Sequence, residues 1–329
     1  MRRSLTLVLA LLAIAPLHAQ TAPPTVPPRR AHHALVYDPV RERVLLAGGS
    51  SPRDDGSRFD VFDDLWAWDG RAWQTLPRSG DRVSSHALAW DARERRILSL
   101  GGYPDTLRGL FRVLEQDRWR TMGRVREALL SDPGLVWDAR RERLVTFGGS
   151  SGPGRFAGET WEWDGTRWTR TNGLMPSPRA AHAMVYDARR GVTVVFGGMT
   201  VGAPGGPPAS LGDTWEYDGT QWRLRATDGP LARHGAGAAY DSRRGVVVLF
   251  GGAGGGGFQG DTWEWDGRAW HQRATDGPEP RAMGVLAYDA ARDRTVLFGG
   301  RTGWPDGDMG DTWEWDGRRW AKAAGSPDR

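Results

Sequence analysis

The sequence predicts an all-β chain folded as a six-bladed β-propeller with four antiparallel strands per blade, and three observations carry that reading. A Gly-Gly pair recurs at Gly48, Gly101, Gly148, Gly197, Gly251 and Gly299, with spacings of 53, 47, 49, 54 and 48 residues. Eleven residues before each pair stands an aromatic residue followed by Asp: Tyr37, Trp90, Trp137, Tyr186, Tyr240 and Tyr288. After the pairs comes a stretch close to Asp-Thr-Trp-Glu-Trp-Asp-Gly-x-x-Trp, clearest at Asp213 to Trp222, Asp261 to Trp270 and Asp311 to Trp320. Altered copies occupy Asp64 to Trp73 and Glu159 to Trp168, and Leu110 to Trp119 keeps only its last Trp. A period of this length signals stacked units, each too small to bury its own faces.

The elements follow in chain order. Met1-Arg2-Arg3-Ser4 is a basic start, Leu5 to Leu17 is an apolar run of 13 residues, and Ala19 offers a small residue for cleavage. The run is shorter than the roughly 20 residues that span a bilayer and has no polar face, so residues 1–19 are expected to be a secretory signal. Residues 20–28, rich in proline, are expected to form an extended tether. Residues 29–325 then divide into blades at about 29–78, 79–124, 125–173, 174–227, 228–276 and 277–325.

Within a unit, short runs rich in Val, Leu, Trp and Tyr read as strands. Each double glycine closes the second run, as in Val192 to Phe196 and Val246 to Phe250. Asp-Gly or Asp-Ala-Arg-Arg turns separate the others. Trp161 and Trp163 stand two apart and share one face of their strand. Six sheets standing round an axis bury both faces of each, and closing the ring hides strand edges.

These features resemble the kelch-repeat β-propellers: the period near 50, the double glycine ending the second strand and the later Trp all match, over about residues 29 to 322. The resemblance implies that the first strand of each unit lines a central channel and the fourth is outermost. The sixth copy is complete through Trp320. No strand is left over for a swapped closure, so packing of blade 6 on blade 1 is expected to close the ring.

Composition removes several functions. The chain has no Cys, which excludes disulfides, a thiol nucleophile and Cys-ligated metal. It also excludes the Tyr–Cys crosslink that galactose oxidase, a copper enzyme of kelch architecture, requires. The net charge of +4 falls to +2 once Arg2 and Arg3 leave with the signal, which is no nucleic-acid footprint. No cofactor, metal or nucleic-acid partner is expected. Nor is stable membrane insertion after signal cleavage.

Loop lengths choose a face. The first-to-second and third-to-fourth connections are constant, whereas the loop after the double glycine runs 14, 7, 9, 14, 8 and 10 residues. Strand alternation places this loop on the same face as the linkers between blades. Function is expected there, with Arg53, Arg58, Tyr103, Arg155, Phe258, Arg301 and Trp304 as aromatic and guanidinium contacts.

Four residue groups are further candidates. Glu162, Glu216, Glu264 and Glu314 occur where the next copy round the ring carries Arg179, Arg233, Arg281 and Arg30, and where Glu is missing the next Arg is missing too. That co-occurrence predicts inter-blade Glu–Arg pairs, structural in role. His33, His86 and His182 share one position at the start of the channel-lining strand, where they are read as hydrogen-bonded repeat residues or as a metal-binding or acid/base set. The acidic loops Asp54 to Asp60 and Asp306 to Asp311 lack the twelve-residue calcium pattern. Gly254 to Gly257 has no Lys or following helix and reads as a tight loop tip rather than a phosphate cradle.

The resulting expectation is an exported, monomeric, non-catalytic binding module, periplasmic or extracellular, that recognises a protein or glycan through the variable-loop face. The alternative is a periplasmic sugar mutarotase or isomerase, with His33, His86 and His182 at the channel mouth. The periplasmic sialic-acid mutarotases share the architecture, but none of their motifs maps onto this chain.

Overall fold

The computed structural model describes residues 25–53, 59–77, 80–107, 109–125, 131–152, 154–204, 206–303 and 307–323. The expected signal at 1–19, the start of the tether, Arg58, Trp304 and most of the Asp54–Asp60 loop lie outside these residues. Six four-stranded antiparallel sheets stand round one axis, each built from the strands of one repeat in chain order. Blade 4 is typical: Ala183–Asp187, Val192–Phe196, Thr214–Tyr217 and Trp222–Ala226, from axis to rim. The innermost strands touch their neighbours all the way round, with Val285–Asp289 of blade 6 against Ala34–Asp38 of blade 1.

Alternation explains the packing. The second strands, such as Val192–Phe196 and Val246–Phe250, are buried on both faces. This is why they read as continuous apolar runs rather than alternating ones. On strand three, Trp or Tyr side chains face the preceding blade; Trp68 packs with Val296 and Phe298 of blade 6, and Trp265 with Val194 of blade 4. The double glycine has a steric cause. Gly148 has φ +67°, and a Cβ there would lie 2.5 Å from the Arg179 carbonyl of the next blade and 2.8 Å from the His182 ring. The adjoining Gly149 N–H donates to that same carbonyl at 2.7 Å.

Among the described residues no strand is exchanged between blades, and two side-chain hydrogen bonds and one backbone hydrogen bond join blade 6 to blade 1. The Trp68 indole donates to Glu314 at 2.8 Å, Trp73 donates to Thr312 at 2.9 Å, and the Arg30 N–H donates to the Met309 carbonyl at 3.0 Å.

The variable loops hold the one feature that strand counting misses. Four of them fold back as short two-stranded ribbons: Ser50–Pro52 with Phe59–Val61, Ser150–Gly152 with Arg155–Phe156, Met199–Thr200 with Ala209–Ser210, and Ala253–Gly254 with Gly257–Phe258. Each loop is moored at its root by a bridge to the linker entering its own blade, from Ala31–Ser50 round to Ala282–Arg301.

Candidate functional site

The expected Glu–Arg pairs do not form. Arg30 binds Asp64 at 2.6 Å and Arg179 binds Asp213 at 2.7 Å, each within its own blade, and Arg233–Asp261 and Arg281–Asp311 repeat the contact. The same guanidinium donates to the carbonyl of the first glycine of its blade, Arg30 to Gly48 at 2.8 Å and Arg179 to Gly197 at 2.9 Å. The arginine thus ties the entrance of strand one to the end of strand two and the start of strand three. Burial alone would raise the carboxyl pKa of Asp213, Asp261 and Asp311, but the guanidinium beside each holds it below the usual range.

The glutamates do reach the next blade, toward a different partner. Glu162 is bound by Arg141 of its own blade at 2.7 Å and accepts from the Tyr217 hydroxyl of the next blade at 2.9 Å. Glu216 takes Arg190 and Trp265, Glu264 takes Arg244 and Trp315, and Glu314 takes Arg292 and Trp68. Each of these arginines is also held by the Asp that ends its own strand one, as in Asp138–Arg141 at 2.6 Å. Gly219 of the next blade sits on Arg141 so closely that a Cβ would meet its Nε at 2.3 Å. Burial, then the Glu162 charge, push the Tyr217 phenol far above its ordinary pKa, so it remains a donor.

A second brace runs beside the first. The strand-four indoles of Trp222, Trp270, Trp320 and Trp73 donate to Thr160, Thr214, Thr262 and Thr312 of the preceding blade at 2.8 to 2.9 Å. Both braces are missing on either side of blade 2. Ala67 and Val113 replace Glu, Leu65 and Phe111 replace Thr, and the buried Trp119 and Trp168 indole N–H groups have no hydrogen-bond partner among the described residues. Blade 2 instead carries a swapped ion pair, with Arg112 on strand three and Asp81 on the linker, 3.1 Å apart.

On the variable-loop face, the six linkers meet at the axis. His32, Ser85, Asp132, Ala181, Gly235 and Met283 all have positive φ, and N–H groups donate to the neighbouring carbonyl in sequence round the mouth, as in Ser85 to His32 at 2.8 Å and Gly235 to Ala181 at 2.7 Å. They enclose a shallow axial cavity of about 210 Å³. His32 Nδ1 lies 3.2 Å from Ser85 Oγ and 3.5 Å from Asp132 Oδ1. Both contacts use the same ring nitrogen, so the trio is not arranged as a nucleophile–base–acid relay.

His33, His86 and His182 are among the residues lining this cavity, but their ring nitrogens are buried. They wedge between blades against the first glycine of the preceding blade, with His33 at Gly299, His86 at Gly48 and His182 at Gly148. His182 keeps some exposed surface, but the ring nitrogens of all three are shut from solvent, and those of His86 and His182 have no hydrogen-bond partner among the described residues. At His86 and His182 the expected hydrogen bond gives way to packing, because the close approach of neighbouring blades buries their ring nitrogens. Burial, then the nearby Arg112 and Arg179, push His86 and His182 down to about 3, and burial with Arg30 holds His33 well below the ordinary range.

The predicted contact residues divide. Tyr103, Phe258 and Arg155 are exposed, and Arg53 is exposed while paired with Asp60 at 2.9 Å. Arg301 is not available as expected, because Asp308 holds it at 2.9 Å and its side chain is largely buried, 5.8 Å from the Phe59 ring. Asp308 and Asp311 of the acidic loop are thus taken by arginines. Sequence reasoning missed Phe59, Leu174, Val201 and Leu231. Eight large apolar side chains are exposed among the described residues, and six of them (Phe59, Tyr103, Leu174, Val201, Leu231 and Phe258) stand on loops and linkers of this one face.

Fold and face together define a closed repeat propeller that presents a collar of variable loops. The family model described as the KLHDC2/KLHL20/DRC7 Kelch-repeats domain matches residues 136–324, more than half of the chain. The chain belongs to the kelch-repeat β-propeller family. No curated protein matches it.

Proposed function

We propose that this protein is an exported, non-catalytic binding module that engages a protein partner across the variable-loop face. The observation that carries the reading is the segregation of exposed apolar side chains, six of eight, onto that face. Exposed apolar surface rimmed by polar residues marks interaction sites where it is contiguous, and aromatic side chains ringed by polar groups are what binding hot spots use. Kelch domains generally mediate protein interactions. The apolar run at Leu5 to Leu17 supports export. The sugar-isomerase reading loses its proposed acid and base, since the imidazoles of His33, His86 and His182 are sealed between blades.

The test is site-specific photo-crosslinking in the producing cells. A crosslinker at Phe258 is expected to trap a partner, and serine at Phe59, Tyr103 and Val201 together is expected to reduce the yield about tenfold or more. A crosslinker at Arg167, exposed on the opposite face, is expected to trap nothing. Equal trapping from Arg167, or none from Phe258, contradicts the proposal.

A further inference from the structure

Comparing the linkers singles out a cleft beside blade 1. Three residues before Arg30, Arg179, Arg233 and Arg281, the linker buries a proline: Pro27, Pro176, Pro230 and Pro278. The linker into blade 2 has Gly80 at this place, exposed, in a left-handed conformation at φ +88° and with open space where a side chain would be. It also lacks the arginine, which Val83 replaces.

The same linker is seated differently one residue before that position. Elsewhere this residue packs onto a glycine, where a Cβ on Gly158 would meet Pro178 at 3.0 Å, one on Gly212 Ala232 at 3.2 Å, and one on Gly260 Pro280 at 3.0 Å. In blade 1 the glycine is replaced by Asp63, and the linker residue is the exposed Arg82. Between them lies a cleft of about 520 Å³, lined by Phe62, Leu65, Trp66, Thr75, Leu76 and Arg82 among others. Leu76 and Arg82 flank in sequence the place where four of the other linkers carry their proline, the linker into blade 3 having Glu127 there.

We propose that this cleft receives a proline-containing extended segment of the partner, which supplies from outside the ring that four of the other linkers supply from within. The chemistry suits the walls. Proline is compact and apolar and lacks an N–H needing a buried acceptor, and extended proline segments lose little entropy when they dock against aromatic side chains. One face of Phe62 is already covered by the Arg30 guanidinium 4.0 Å from its centroid, which fixes that ring as a wall. The inference rests on the variable-loop face being the binding face, and it names the partner's chemistry there.

The probe is a blocked peptide copying this chain's own linker, Ala-Thr-Asp-Gly-Pro-Glu-Pro-Arg, as in residues 274–281. Added to the mature protein, it is expected to bind saturably and to shift the Trp66 indole resonance. The same peptide with both prolines changed to alanine is expected to bind about tenfold more weakly. Thr75→Trp, at an exposed position that can wall off the cleft without entering the core, is expected to weaken the parent peptide by a similar factor at unchanged melting temperature. Absence of binding at millimolar peptide overturns the proposal, as does equal binding of the alanine peptide or equal binding by T75W. Self-association driven by the chain's own Pro23-Pro24 segment, detected by sedimentation and blocked by T75W, would also overturn it in favour of a second copy as occupant. Crosslinking from Phe258 persists if only the cleft proposal fails and disappears if the face itself is wrong.

Discussion

Glu264→Ala is expected to lower stability by about 1 to 3 kcal/mol in urea denaturation, the cost of leaving a buried donor without its acceptor. Glu264 is buried and gathers Arg244, Arg273 at 2.9 Å and the Trp315 indole of the next blade at 3.3 Å. Removing it leaves the Trp315 indole N–H without its acceptor and Arg244 with Asp241 alone. Glu264→Gln keeps an acceptor for Trp315 and is expected to cost less than alanine. The same substitution at Glu314 breaks the brace between blades 6 and 1 and is expected to cost a similar amount. A loss below about 1 kcal/mol at both sites, the range of a surface ion pair, would mean that apolar packing alone joins the blades.

Acid is expected to destabilise the protein well before its carboxylates protonate. His33, His86 and His182 are neutral in the fold, with His86 and His182 lowered to about 3, whereas the unfolded chain takes up protons near 6.5. The unfolded state therefore binds more protons below about pH 6.5, and stability falls as the pH falls from there toward the folded pKa. His86 and His182 each contribute a loss of roughly 2 kcal/mol by about pH 5, on the order of 4 kcal/mol together, and His33 adds a loss of the same sign. Melting temperatures between pH 7 and 4.5 check this. His182→Leu is expected to flatten the slope by about one proton, and a slope unchanged by that substitution would refute the assignment.

Much of the fold was legible because the repeat compares the chain with itself. The double glycines, the aromatic-Asp pairs and the constant turns all mark backbone that must pass a neighbour closely, and such backbone tolerates little change. The glutamates were rightly linked to the next blade, and the partner was wrong. Arg30, Arg179, Arg233 and Arg281 occur in the copies whose strand three opens with Asp64, Asp213, Asp261 and Asp311, so their true match was visible within each copy. Glu162, Glu216, Glu264 and Glu314 likewise accompany Thr160, Thr214, Thr262 and Thr312, which brace the same seams. The ribbons in the variable loops escaped because two- and three-residue strands carry no periodicity. The burial of the three imidazoles escaped because it depends on a glycine in a different blade.

The braces divide the ring unequally, and this is the claim most open to test. Four seams carry both the carboxylate and the Thr–Trp contact, and the two flanking blade 2 carry neither. Hydrogen exchange of the mature protein, followed strand by strand, reads the consequence directly. Amides of Leu110–Glu115 and Ala87–Asp91 are expected to exchange before their counterparts Thr262–Trp265 and Gly237–Asp241 in blade 5, through partial opening at blade 2. Simultaneous exchange of blades 2 and 5, or earlier exchange of blade 5, would show that the braces do not set how firmly the blades are joined.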